Sequence, residues 1–275
     1  DDFKVIESHI IPRNLKVVTM PLFLEGPMHL LKLPYAQKQK LEMYEKLKHT
    51  GLYDQKLKMY KVNDSLAETS FEVGRAKAFS PGWLENESIW LHMEYKYLLE
   101  LLKSGMYQAF FEDFKHACIP FMEYQVYGRS LLENSSFIVS SANQNEKIHG
   151  KGFVARLSGS TAEFLQMWQI MMFGKNPFKE DNGTLKCSLE PTLPEYLIPT
   201  NLIVEATFIG TTKVSYHLDV KREIIPGQYN INQMQIKYRS GKTNCVSGNY
   251  LENNMAVSLR NNEIQEVHVF ITGNS

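Results

Sequence analysis

The hydrophobic period of this chain changes once, near residue 175, and that change most limits what it can fold into. Before it, apolar residues recur at helical spacing. After Asp181 they fall into short β-branched and aromatic runs divided by turn residues. The spacing predicts helices over 34–51, 85–104, 107–124 and 158–173. "PYAQKQKLEMYEKLKHTG" starts on proline and ends on glycine, Gly105 stops the second helix, and Gly174 stops the fourth. The strands expected are "LKCSLE" (185–190), "LIVEATFI" (202–209), "KVSYHLDV" (213–220), "MQIKYR" (234–239), "MAVSLR" (255–260) and "EVHVFIT" (266–272). In the last, Val267, Val269 and Ile271 alternate inward against Glu266, His268 and Phe270. The expected class is α+β and multidomain, with a helical domain over 1–178 and an antiparallel β-sandwich over 179–275. Residues 1–33 and 52–80 read as strands or buried extended segments.

The charge balance narrows the partners. Lys plus Arg and Asp plus Glu both number 30, so no global field draws the chain to nucleic acid or to an anionic membrane. The opening "DDFKVIESHIIPRN" lacks the basic start and apolar run of an export signal. No window approaches the roughly 18–20 apolar residues of a membrane span. Cys118, Cys187 and Cys245 lie far apart with no metal-ligand spacing, which suits inert thiols in a reducing compartment. The expectation is a cytoplasmic protein without a bound metal or organic cofactor.

Three stretches carry candidate chemistry. "FSPGWLENESIWLH" (79–92) has a Ser80-Pro81-Gly82 turn ahead of a helix expected from Glu85 or Asn86. Asn86 is a candidate N-cap, with Glu85 and Glu87 where a helix dipole favours negative charge. Trp83 is a candidate platform for a sugar ring, and equally a core residue beside a turn. "HGKGFVARLSGSTAEFLQMW" (149–168) leads through Arg156 into Leu157-Ser158-Gly159-Ser160 and a helix, with Ser160 and Glu163 spaced as a capping box. Free N–H groups at such a start make an anion site, or simply a capped helix. Glu133, ahead of "NSSFIVSS", ends an element or binds a hydroxyl.

In order and spacing these stretches resemble glycoside hydrolase family 94, the inverting cellobiose and chitobiose phosphorylases. The resemblance rests on Pro81-Gly82, Glu85-Asn86, Ile89-Trp90-Leu91-His92, Glu133 and Leu157-Ser158-Gly159-Ser160, and spans about 79–173. It implies that His92, Ser158, Gly159 and Ser160 bind inorganic phosphate as co-substrate. It implies that Glu85 contacts the acceptor sugar, with Trp83 and Glu133 in the oligo- or disaccharide site. Phosphate then attacks the anomeric carbon directly while an aspartic acid protonates the leaving oxygen, so phosphate replaces the general base of an inverting hydrolase.

The departures from the family pattern are specific. Leu84 stands where the family has a basic residue, and Val139-Ser140-Ser141 where a glutamine is expected. The Asp-Trp-Asn-Asp type segment that holds the general acid has no match, and four or five helices are too few for the family's toroid. The resemblance therefore implies the C-terminal part of an (α/α)6-type catalytic domain plus the sandwich, without a catalytic acid of its own. Such a chain pairs with the missing part or self-associates, because an opened helical ring leaves apolar faces uncovered. The alternative is a non-catalytic carbohydrate-binding or assembly module. A self-sufficient small enzyme using Glu85 or Glu133 as its acid stands third.

Overall fold

The computed structural model describes residues 2–15, 17–154 and 158–273. It is a mixed helix and sheet protein. The first half holds an outlying hairpin of β1 (Phe3–Ile6) and β2 (His9–Pro12), then α1 (Glu25–Lys32), α2 (Gln37–Leu47) and a short ladder of β3 (Tyr53–Asp54) with β4 (Met59–Tyr60). There follow β5 (Ile89–Trp90), α3 (Leu91–Lys103), α4 (Tyr107–Ala117), the single turn α5 (Tyr124–Tyr127), β6 (Phe137–Ile138), β7 (Gly152–Phe153) and α6 (Ser158–Phe173).

The long helices form where the apolar spacing places them. In α3, Leu91, Tyr95, Leu98 and Leu102 repeat at three- and four-residue intervals and are buried. Gly105, at φ +74°, ends the helix in a conformation only glycine takes cheaply. In α4, Phe110, Phe114 and Ala117 do the same work. The helix stops at Ala117, short of the expected Tyr124, because Pro120 allows only a short 3-10 turn over Ile119–Phe121. Helix α3 is the hub of this half, packing against α1, α4 and α6.

The second half holds a three-stranded sheet of β8 (Phe178–Asp181), β9 (Thr184–Ser188) and, from later in the chain, β14 (Tyr250–Glu252). Beside it lies a five-stranded sheet of β10 (Ile203–Phe208), β11 (Thr212–Leu218), β12 (Tyr229–Tyr238), β13 (Thr243–Ser247) and β15 (Ile264–Gly273), in the order β10-β11-β15-β12-β13. The alternation expected in β15 holds: Val267, Val269 and Ile271 are buried, and Glu266, His268 and Phe270 are half-buried on the outer face.

Two expectations for this half are corrected. The five-stranded sheet is not wholly antiparallel, since β11 and β15 run parallel. Residues 255–260 are not a strand but lie in the helix α7 (Asn254–Arg260), which buries Ala256 and Leu259, three residues apart. Asn253, at φ +50°, turns the chain from β14 straight into that helix.

One continuous buried cluster runs from Leu24 and Tyr60 through Phe110 and Met171 to Val214 and Ile271. The two halves are also joined by polar contacts, with Tyr216 Oη donating to the Met172 carbonyl and Tyr196 Oη to that of Phe111. Cys118 and Cys187 are buried, and desolvation pushes their thiols up to about 12, so neither is a ready nucleophile. No helix of the described residues is long and apolar enough to cross a membrane.

Candidate functional site

A three-stranded antiparallel sheet, β5-β6-β7, gathers the candidate stretches. Ile89 pairs with Ile138 and Trp90 with Phe137, and Phe137 pairs in turn with Phe153. The first stretch thus meets the Glu133 stretch and the start of the third, although 47 residues separate Trp90 from Phe137 and 16 separate Phe137 from Phe153. Helix α3 starts at the end of β5, where the Leu91 N–H donates to the Ser136 carbonyl at 3.2 Å.

This pairing overturns the expected helix start. Residues 85–90 are not helical, and Asn86 is not an N-cap; that position falls to Trp90, which makes no capping bond. Leu84 and Glu87 take positive φ values of 50° and 54°, which break a right-handed helix. Asn86 closes the preceding turn, its backbone exchanging hydrogen bonds with Trp83 and its Nδ2 donating to the Phe79 carbonyl at 2.7 Å. Gly82 is required there: it sits at φ +75°, and an added Cβ would lie 2.7 Å from the Asn143 nitrogen.

Each carboxylate of this region already has a cation. Glu85 pairs with the exposed Arg75, and the buried Glu87 with Lys61 Nζ at 2.8 Å. Glu133 pairs with Arg129 at 3.2 Å. Its carbonyl accepts from Tyr127 Oη at 2.8 Å, which ties it to β6 through the Ser135 N–H, a donor to the same phenol. Trp83 packs edge-on against Phe137 and Phe153, with centroids 5.1 and 4.7 Å apart, and Trp90 stacks over Phe137. Trp83 is half-buried, so packing takes part of the face offered for a sugar.

His92, one residue into α3, reaches α6. Its Nε2 lies 3.6 Å from Glu163 Oε1, and the other oxygen of Glu163 is buried without a hydrogen-bond partner. Ser160 is buried in the first turn of α6. The expected capping box is corrected: the helix already runs from Ser158, so Ser160 lies inside it, and Glu163 turns to His92 instead. Ser158 and Gly159 belong to that helix, but the surroundings of both lie outside what is described, as do Arg156 and Leu157 altogether. Beside the His92–Glu163 pair a cleft of about 230 Å³ opens between α1, α3 and α6, with Lys32, Lys96 and Lys103 set against Glu25, Glu100 and Glu163.

No protein-family model matches the chain, and no curated protein matches it.

Sequence reasoning missed two buried carboxyl groups, Glu94 and Asp113, whose titration burial shifts upward. Asp113 and Glu94 are buried at 2% and 0% exposure. Asp113 accepts from Tyr60 Oη at 3.0 Å and Tyr44 Oη at 3.3 Å, with Lys48 Nζ 3.3 Å away. Glu94 accepts the Tyr60 N–H at 2.9 Å through one oxygen, and its other oxygen has no partner. Burial holds the Glu94 carboxyl well above the usual range, aided by the charge of Asp113 and opposed by the Tyr60 N–H. The signal was present: Glu94 stands three residues after Leu91 and Asp113 three after Phe110, each a charge on an apolar helix face.

Burial also raises the Asp113 carboxyl, to about 6 from 3.8, against the pull of Lys48 and of the Tyr60 hydrogen bond. Below about pH 3.8 the group is protonated in both the folded and the unfolded chain and costs nothing. Between 3.8 and about 6 the unfolded chain loses the proton first, so stability falls as pH rises, and above that window the loss is constant. The loss is on the order of 3 kcal/mol. Asp113→Asn keeps an acceptor oxygen for one tyrosine hydroxyl, offers an N–H to the other, and cannot ionise. The difference in urea unfolding free energy between parent and variant is expected to move in the variant's favour by that amount between pH 4 and 7. Parallel curves would show that Asp113 does not carry the effect.

Proposed function

We propose that this chain carries the phosphate-binding half of a site that breaks a β-glycosidic bond by phosphorolysis, of the kind found in the inverting phosphorylases of glycoside hydrolase family 94. The observation that carries this reading is the reach of His92, at the start of α3, to the first turns of α6, within 3.6 Å of Glu163. An imidazole beside a helix start supplies N–H donors and a favourable dipole to a phosphate. Phosphate would take the place of Glu163 as the partner of His92. Ser158, Gly159 and Ser160 belong to the same cradle, and Glu85, Trp83 and Glu133 to the sugar side.

In this reading α1–α6 are part of a helical toroid and the C-terminal sheets are its β-sandwich. The proton donor comes from another stretch of polypeptide. The pairing of Glu85, Glu87 and Glu133 with cations supports that, because each of these carboxylates is already engaged by a basic side chain and none stands free to face a leaving oxygen. Exposed apolar side chains support a covering partner, either the missing part or a second copy: Leu15, Val17 and Val18 are 87%, 94% and 70% exposed. The same paired carboxylates favour a second reading, a non-catalytic carbohydrate-binding module.

The test is His92→Ala in the assembled enzyme. Losing a charge-assisted hydrogen bond to phosphate is worth about 1.5–3 kcal/mol, so the KM for phosphate is expected to rise roughly 10- to 100-fold with sugar affinity little changed. Equal loss of both overturns the assignment. Sugar binding by this chain with no phosphorolysis in any assembly favours the second reading.

A further inference from the structure

The outer face of the five-stranded sheet holds a histidine pair that the proposed sugar chemistry does not use. His217 on β11 and His268 on β15 stand diagonally across the parallel ladder, in which Ser215 pairs with His268 and His217 with Phe270. Inward-facing Val214, Tyr216, Val267 and Val269 fix both backbones against the core. Both imidazoles are half-buried. His217 lies flat on the Phe270 ring, with centroids 4.7 Å apart at 14°, and its Nε2 faces His268 Nδ1 at 3.0 Å. The other nitrogen of His268 lies 3.5 Å from Glu266 Oε2.

We propose that His217 Nε2 and His268 Nδ1 bind one divalent transition-metal ion of the nickel–copper class, with water filling the remaining positions. Geometry makes the choice of class. Two imidazole nitrogens about 2.1 Å from an ion lie about 3.0 Å apart when they meet at a right angle, and about 3.4 Å apart when tetrahedral. The observed 3.0 Å is the right-angle value, which belongs to square-planar and octahedral ions. A carboxylate behind a ligand histidine orients the ring and raises its basicity, and Glu266 occupies that place behind His268.

The surroundings fit an open site. No group of three or more His, Cys, Asp or Glu side chains among the described residues is set to hold a metal, so solvent must complete the shell. A groove of about 510 Å³ beside His268, lined in part by Gln235, Thr243 and Cys245, admits that water. Nearby charges are balanced, since Lys237 pairs with Glu266 at 2.9 Å and Lys213 with Glu205 at 2.7 Å. The competing arrangement is a plain N–H···N hydrogen bond between two neutral rings, which has the same length.

Titration calorimetry with Ni²⁺ and electron paramagnetic resonance with Cu²⁺ separate the two. They are best run on a Cys245→Ser background, so that the exposed thiol does not compete. The expected result is saturable one-to-one binding with two nitrogen couplings in the copper spectrum. His217→Ala or His268→Ala should abolish it, and Glu266→Gln should weaken it roughly 10-fold. Binding that survives the double histidine variant, or no saturable binding of either ion, overturns the proposal. Should the variants unfold, imidazole ¹⁵N spectra of the otherwise unaltered chain decide: Ni²⁺ must shift or broaden His217 and His268 ahead of the other six histidines. Uniform or absent shifts count against the site.

Discussion

Phe114→Ala is expected to lower the unfolding free energy by about 3–5 kcal/mol, the range for truncating a fully buried aromatic side chain. Phe114 is 0% exposed. Its ring contacts Phe110 on its own helix, with centroids 5.1 Å apart, Trp168 of α6 at 5.7 Å and Phe121 of the following turn at 5.8 Å. Alanine removes the transfer free energy of the ring and leaves a cavity that three elements would have to close together. They cannot do so freely, because α6 is also held by α3 and the Phe121 turn by Tyr196. The measurement is a urea midpoint at constant m value. A loss under about 1 kcal/mol would mean that the cluster collapses into the gap and is not the packed junction described.

Gly152→Val should cost about 3 kcal/mol, the upper end for overpacking, and should dismantle the candidate site as well. A Cβ at Gly152 would lie 2.3 Å from Tyr127 Cε2 and 2.7 Å from Ser135 Oγ. The tyrosine cannot retreat: it is fully buried, and its hydroxyl donates to the Glu133 carbonyl and accepts from the Ser135 N–H, both at 2.8 Å. The strand must therefore move, breaking the pairing of Gly152 with Ile138 and of Phe153 with Phe137. Trp83 packs on both of those phenylalanines, so its fluorescence should change before global unfolding. Gly26→Ala, where an added Cβ meets nothing within 4 Å, is the control. Unchanged fluorescence and stability in Gly152→Val would show that β7 does not support the site.

These two positions mark what could be read from the chain and what could not. Phe114 belongs to a visible helical stripe. Nothing in the local sequence marks Gly152, and only Tyr127 and Ser135, brought beside it by the fold, make it irreplaceable. His92 was legible as a candidate from its surrounding motif, but its partner Glu163 was assigned to a helix cap. A capping box requires the helix to start at the serine, and α6 starts two residues earlier. Glu94 and Asp113 were passed over because charges count as surface until tertiary packing shows the face they share.

By itself the sequence determined the α+β class, the longest helices and five strands of the second half, because three- and two-residue periods and turn residues act within one element. Only the tertiary structure decided that 85–90 is turn and then strand, not helix, that 254–260 is helix and not strand, and that β11 lies parallel to β15. It alone decided which carboxylates meet cations and which are buried against tyrosines. The physical reason is the same in each case. A local pattern says which face a residue presents, while the partner for that face is chosen by long-range packing and pairing, whose free energy outweighs the modest local propensities.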